Sequence, residues 1–400
     1  MTYMPELAMP HIEDRIAHDA DAHVMEPKDW LDPFVAKSVK SELASLLDRD
    51  FGIGRHGEVE TARALQRDPE HRAKDSIEVM ARKNYRAIGA FEKSDRVTAM
   101  DLIGVSSQLV FPTYFNVLLE ELESGNNMDL LYGTAEATNL AQAAFCEVSD
   151  RLLPVGYVPI ADLDRVDEAA RQTIDSGCKA LLLPWACPRH HSTSHVRLDA
   201  VWSQAVDAGL PVLFHVGVAD RVLPKAHANN GLPKVQDFHG GDENFRSISY
   251  MAIPHGPMQA LAMLILDGVL ERFPTLKVGV IELGASWVPG FMRQLDSALE
   301  AFVRHESRLQ DLSLRPSEYI SRQVRVTPYP TEPAGWIIEQ SGPEICMFSS
   351  DYPHLEGGRN PYGRFSSSTA DLSDGVKDRF FRRNFEDLMG NAVPHDTALG

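Results

Sequence analysis

Cysteine is scarce: Cys146, Cys178, Cys187 and Cys346 are all there is in 400 residues, and no two share a paired spacing. That excludes a disulfide framework and a thiolate zinc site. Long apolar runs are missing too, since no stretch approaches the ~18 residues of a membrane span. The first fifteen residues carry Glu6, His11, Glu13 and Asp14 and no apolar segment, unlike a secretory leader. Positive charge is in deficit, with 39 Lys and Arg against 57 Asp and Glu, a net of −18. Nucleic acid and anionic membranes repel such a chain, so neither is expected as a partner. There is no Walker or dinucleotide fingerprint and no Gly-x-Ser-x-Gly elbow. The expectation is a cytoplasmic protein that acts on a small molecule.

What is present is a rhythm. Apolar runs at 105–111, 152–159, 179–185, 211–216, 277–283, 323–327 and 345–350 are separated by stretches of helical periodicity. Residues 16–25, Ile-Ala-His-Asp-Ala-Asp-Ala-His-Val-Met, alternate at period two and make an eighth strand candidate, the first in the chain. Within the helical stretches, Asp162 reads as a cap and Gly209 as a terminator. Alternating β and α elements imply a parallel sheet, and eight such units in roughly 250 core residues fit a (β/α)8 TIM barrel. An open doubly wound sheet is the rival. On the barrel reading, residues 1–400 form one domain. It carries a helical insertion after strand 1 (about 28–89) and a loop insertion after strand 5 (about 217–257). Trp30 and Phe34 of the first insertion would roof an apolar pocket.

The polar residues favour the barrel, because they gather where strands end. Asp19, Asp21 and His23 fall on one face of strand 1, since strand side chains alternate. Asp21 and His23, at i and i+2, can grip one metal ion. His215 sits inside the apolar run Val212-Leu213-Phe214-His215-Val216. Asp351 follows Ile345-Cys346-Met347-Phe348, and an unpaired carboxylate at the end of a buried strand is costly. Asp21, His23, His215 and Asp351 together make an oxygen and nitrogen set that suits Zn²⁺, Mn²⁺ or Fe²⁺. Glu282, in Val280-Ile281-Glu282-Leu283-Gly284, reads as a general acid/base, an outer ligand or one half of a salt bridge. His354 would orient a ligand or touch substrate, and His255 lies near the same rim. His190, His191 and His195 read as a polar loop, as does His239-Gly240-Gly241.

Taken together, four segments resemble the amidohydrolase-related family, the branch that includes aminocarboxymuconate-semialdehyde decarboxylase and γ-resorcylate decarboxylase. They are Asp19-Ala20-Asp21-Ala22-His23-Val24-Met25-Glu26-Pro27, Leu213-Phe214-His215, Gly268-Val269-Leu270-Glu271-Arg272-Phe273-Pro274 and Ser350-Asp351-Tyr352-Pro353-His354. The resemblance implies a metal-dependent TIM barrel, commonly dimeric, with one divalent ion: zinc, or else manganese. The family's ligands fall on Asp21, His23, His215 and Asp351. Its decarboxylases carry a histidine as acid/base after strand 6, where this chain has Glu282. The sequence therefore predicts a hydrolase that uses a metal-activated water on a small cyclic or aromatic amide, lactone or C–C bond. Glu282, Asp351, His354 and His255 would be its catalytic groups. Two alternatives stand beside it: a non-oxidative carboxy-lyase of an aromatic or muconate-type acid, and a non-catalytic binding barrel.

Overall fold

A computed structural model describes residues 11–47, 56–217, 222–233 and 247–394. Seven strands form one curled sheet: β1 (His18–Val24), β2 (Ser107–Pro112), β3 (Leu152–Tyr157), β4 (Ala180–Leu182), β5 (Val212–His215), β6 (Val278–Ile281) and β7 (Val324–Val326). They lie in sequence order and every neighbouring pair is parallel. All strand residues are buried, as expected of a parallel sheet covered on both faces. Helices occupy the connections, giving an α/β fold of TIM-barrel-like form.

The eighth apolar run behaves differently from expectation. Residues 345–350 form no continuous strand, yet they join the two edges of the sheet. Single parallel bridges tie Cys346 to Val326 and Tyr352 to Ala22. On the β7 side, Met347 N–H donates to the Val326 carbonyl at 2.8 Å; on the β1 side, Ala20 N–H donates to that of Phe348 at 3.1 Å. Asp351 N–H reaches the Asp21 carbonyl at 2.9 Å, and His23 N–H that of Tyr352 at 2.7 Å. The ladder breaks because other acceptors take its donors. Phe348 N–H goes to the Phe380 carbonyl, and Ser350 N–H goes to the Asp19 carboxylate.

That diversion of Asp19 corrects the shared-face reading of strand 1. A register shift between Asp19 and Ala22 interrupts the alternation. The Asp19 carboxylate accepts from Ser350 Oγ at 2.6 Å and Gln108 Nε2 at 2.8 Å. It holds the seam, while Asp21 and His23 face the site. Burial pushes its carboxyl up to about 7, against the Ser350 bonds that pull it down.

Between β1 and β2 run the helices Lys37–Leu47, His56–Arg67, Pro69–Ile77 and Lys93–Ile103. Trp30 stacks obliquely on Phe145, with ring centroids 5.6 Å apart. Gly209 ends the helix Asp199–Ala208 in the left-handed conformation, as its sequence position predicts. Asp162 does not cap a helix; it accepts the Asp164 N–H in a turn, and the helix starts only at Val166. Between β5 and β6, the segments 218–221 and 234–246 lie outside the described residues, and His239-Gly240-Gly241 with them. Among the described residues no helix is long and apolar enough to cross a membrane.

Candidate metal centre

Four chain segments deliver carboxylates and imidazoles to one buried point. β1 supplies Asp21 and His23, both 1% exposed, and β5 ends on His215 at 2%. Glu282 directly follows β6, and Asp351 and His354 follow the eighth run. His23 Nε2 lies 3.2 Å from Asp21 Oδ1, 3.7 Å from Glu282 Oε2 and 3.7 Å from Asp351 Oδ1. His215 Nε2 lies 3.4 Å from Asp21 Oδ1 and 3.3 Å from Glu282 Oε2. His354 stacks on His23 at a centroid distance of 3.9 Å and brings Nδ1 to 3.1 Å from Asp351 Oδ1.

Two of these carboxylates are held by unusual backbone. Glu282 has φ 56° and Asp351 φ 52°, the left-handed region that costs a non-glycine residue roughly 1–3 kcal/mol. The surroundings hold each in place. Glu282 N–H donates to Thr327 Oγ1 at 2.8 Å, and Tyr329 OH donates to the Glu282 carbonyl at 2.8 Å. The Glu332 carboxylate then gathers the N–H groups of Ala285, Ser286 and Tyr329 at 2.8–2.9 Å, fixing the turn that follows. Asp351 is pinned through its N–H on Asp21 and its carbonyl, which accepts from His354 N–H at 2.8 Å.

The donor set fits a cation. His215 Nδ1 faces the Val216 carbonyl at 2.9 Å; a carbonyl only accepts, so Nδ1 carries the hydrogen. In the neutral ring Nε2 is then a bare lone pair, yet it looks at two carboxylate oxygens. Among the described residues, neither His23 Nε2 nor either Asp351 oxygen has a hydrogen-bond partner. A proton on His23 is a poor remedy. Burial, and then the neighbouring His354 and His215, push its pKa well below the ordinary imidazole value. A divalent ion with imidazole and carboxylate ligands would take up the lone pairs of His23 and His215.

Two overlapping groups have ligand atoms all within 4.8 Å of one another: Asp21, His23, His215 and Glu282, and His23, Glu282, Asp351 and His354. Of the sequence-derived set, Asp21, His23 and His215 fall in the first group, and Asp351 falls only in the second; His23 and Glu282 are common to both. His255 is in neither group. It is exposed at the start of the helix His255–Leu266, with Nδ1 on the Ala252 carbonyl.

Sequence reasoning missed three contributors. Arg96, fully buried, holds the His23 carbonyl with Nη1 at 2.9 Å and Gln108 Oε1 with Nε at 3.0 Å. Thr113, just past β2, touches two of the imidazoles. Lys83 has a buried Nζ with no hydrogen-bond partner among the described residues. Burial pushes the Lys83 amine down to about 8, while Asp351 and Glu356 nearby hold it up. Its neighbour Asn84 donates N–H to the Pro353 carbonyl at 2.9 Å. None of the three falls in a pattern that a linear reading could single out.

Comparison with known proteins agrees with this architecture. An amidohydrolase from Mycobacterium avium subsp. paratuberculosis superposes with a TM-score of 0.69 at 19% identity, over 95% of this chain and 100% of its own. The 5-carboxyvanillate decarboxylase of Novosphingobium aromaticivorans, solved with manganese and 4-hydroxy-3-methoxy-5-nitrobenzoic acid, gives 0.62 at 18%, over 97% and 99%. A dihydroxybenzoic acid decarboxylase from Polaromonas sp., solved with manganese and the inhibitor 2-nitroresorcinol, gives 0.60 at 14%, over 94% and 97%. At these identities the likeness speaks for the fold. No curated protein matches the chain. The family model described as amidohydrolase matches residues 18–389, and the chain belongs to the amidohydrolase family.

Proposed function

We propose that the protein is a metal-dependent hydrolase of a small cyclic or aromatic amide or lactone. The observation that carries this reading is the convergence of Asp21, His23, His215, Glu282 and Asp351 on a buried point where bare imidazole nitrogens face carboxylate oxygens. A divalent ion there, zinc or manganese, would supply Lewis acidity and bring the pKa of water toward ~7. Asp21, His23, His215 and Glu282 would hold it. Asp351, with both oxygens unsatisfied among the described residues, would take a proton from the attacking water and return it to the leaving group. His354 stands beside that carboxylate, with Nδ1 3.1 Å from Asp351 Oδ1.

A second reading, decarboxylation of an aromatic acid, is favoured by Lys83. The buried Lys83 amine, held up by nearby Asp351 and Glu356, offers a counter-charge to a substrate carboxylate. The resemblance to decarboxylases solved with manganese supports it as well.

The test is metal analysis of purified protein, then a screen against lactones, amides and hydroxybenzoates. One divalent ion per chain is expected, with turnover lost in Asp351→Asn by roughly 100-fold or more. Carbon dioxide release would move the assignment to the second reading. Folded protein that takes up no ion would end both.

A further inference from the structure

Thr113 lies against the edges of two stacked imidazoles and has one hydroxyl hydrogen to give. Its Oγ1 is 2.8 Å from the Val24 carbonyl oxygen, 3.0 Å from His354 Nε2 and 3.4 Å from His23 Nδ1. The carbonyl can only accept, so the hydroxyl hydrogen belongs to Val24. Oγ1 then offers lone pairs alone, and the ring nitrogens facing it must supply the hydrogens. A neutral imidazole carries one N–H, so each ring's other nitrogen is left bare.

The consequence reaches the far side of both rings. His354 carries its hydrogen on Nε2, and its bare Nδ1 lies 3.1 Å from Asp351 Oδ1. His23 carries its hydrogen on Nδ1, and its bare Nε2 faces Asp21, Glu282 and Asp351 at 3.2–3.7 Å. Lone pairs pointed at carboxylate oxygens repel unless a cation lies among them. The opposite tautomers would put N–H groups toward the carboxylates and close the centre with internal hydrogen bonds. Thr113 is well placed to prevent that. Its own N–H is held by Glu26 Oε1 at 2.9 Å, and the next N–H, of Tyr114, by Glu26 Oε2 at 3.1 Å. Glu26 is fully buried, so the anchor is rigid.

We propose that Thr113 is a positioning residue whose hydroxyl sets the tautomers of His23 and His354 together, so that both present a bare nitrogen to the cation. His354 thereby becomes a ligand-side group rather than a substrate contact. The inference rests on reading the centre as a metal site, but its first readout does not need the metal. Histidine is labelled with ¹⁵N and two-bond ring correlations are recorded at pH 8 on protein stripped with EDTA. Individual His→Gln variants assign the signals. Wild type should show Nε2–H on His354 and Nδ1–H on His23. Thr113→Val should mix the tautomers and weaken Zn²⁺ binding, measured by calorimetry, by about 10–100-fold. Thr113→Ser, which keeps the hydroxyl, should restore both.

An Nδ1–H tautomer on His354 in wild type overturns the proposal. So does Thr113→Val with wild-type tautomers and wild-type affinity. If Thr113→Val does not fold, the wild-type and Ser spectra still decide. If wild type binds no Zn²⁺ but shows the stated tautomers, the metal reading fails and the role of Thr113 stands.

Discussion

Glu282 depends on backbone that its own side chain disfavours, and the cost is met by neighbours rather than by sequence preference. Thr327, Tyr329 and Glu332 supply five short hydrogen bonds to residues 282–286 and to Tyr329 itself. Gly284, two residues on, also has a positive φ of 67°, and a Cβ added there would meet the Tyr329 ring at 3.1 Å. Gly284→Ala should therefore destabilise the fold by about 1–2 kcal/mol, read from urea unfolding. The same change should lower ion affinity, because the Tyr329 ring it displaces is the one that holds the Glu282 carbonyl. A variant with wild-type unfolding and wild-type affinity would contradict the view that this turn sets the Glu282 geometry.

At the level of elements, the helix Tyr114–Glu123 is docked on the sheet through a buried carboxylate. Glu26 accepts its first N–H groups, and burial still pushes the Glu26 carboxyl up to about 7 from a usual 4.5. A folded-state pKa above the unfolded one means that the native state binds more protons between those values. Its contribution to stability is complete below pH 4.5 and is lost as pH rises toward 7. Glu26→Gln removes that dependence. The stability difference, wild type minus variant, should fall by up to about 3 kcal/mol between pH 4.5 and 7; a flat difference would refute it. The element scale also shows what a linear reading can reach. Ligand-type residues at apolar-run ends were legible, because burial makes an unpaired Asp or His conspicuous: Asp21, His23, His215, Glu282 and Asp351 all announce themselves this way. The interrupted eighth strand was not, since it depends on Asp19 and Phe380 competing for N–H groups across more than 300 and 30 residues respectively. Thr113 and Arg96 were hidden for a similar reason. A threonine after a strand and an arginine in a helix are ordinary until the fold puts them against His23.

For the whole molecule, surface character bears on assembly. Leu232, Ile248 and Met251, all on the connection between β5 and β6, are 71%, 50% and 65% exposed. We propose that copies of the chain meet over these side chains as a homodimer, the assembly that the family resemblance implies. Light scattering should then give twice the 44.4 kDa of one chain; a single-chain mass at working concentration would reject it. The seam described above has a further meaning. Asp19 and Ser350 are 331 positions apart and meet beside the groups proposed to hold the ion. A nascent chain can present Asp21, His23, His215 and Glu282 well before residue 351 leaves the ribosome, but it cannot shut the ring around them. Tight loading of the proposed ion thus waits for two segments far apart in the chain to meet, so the site is completed late in folding.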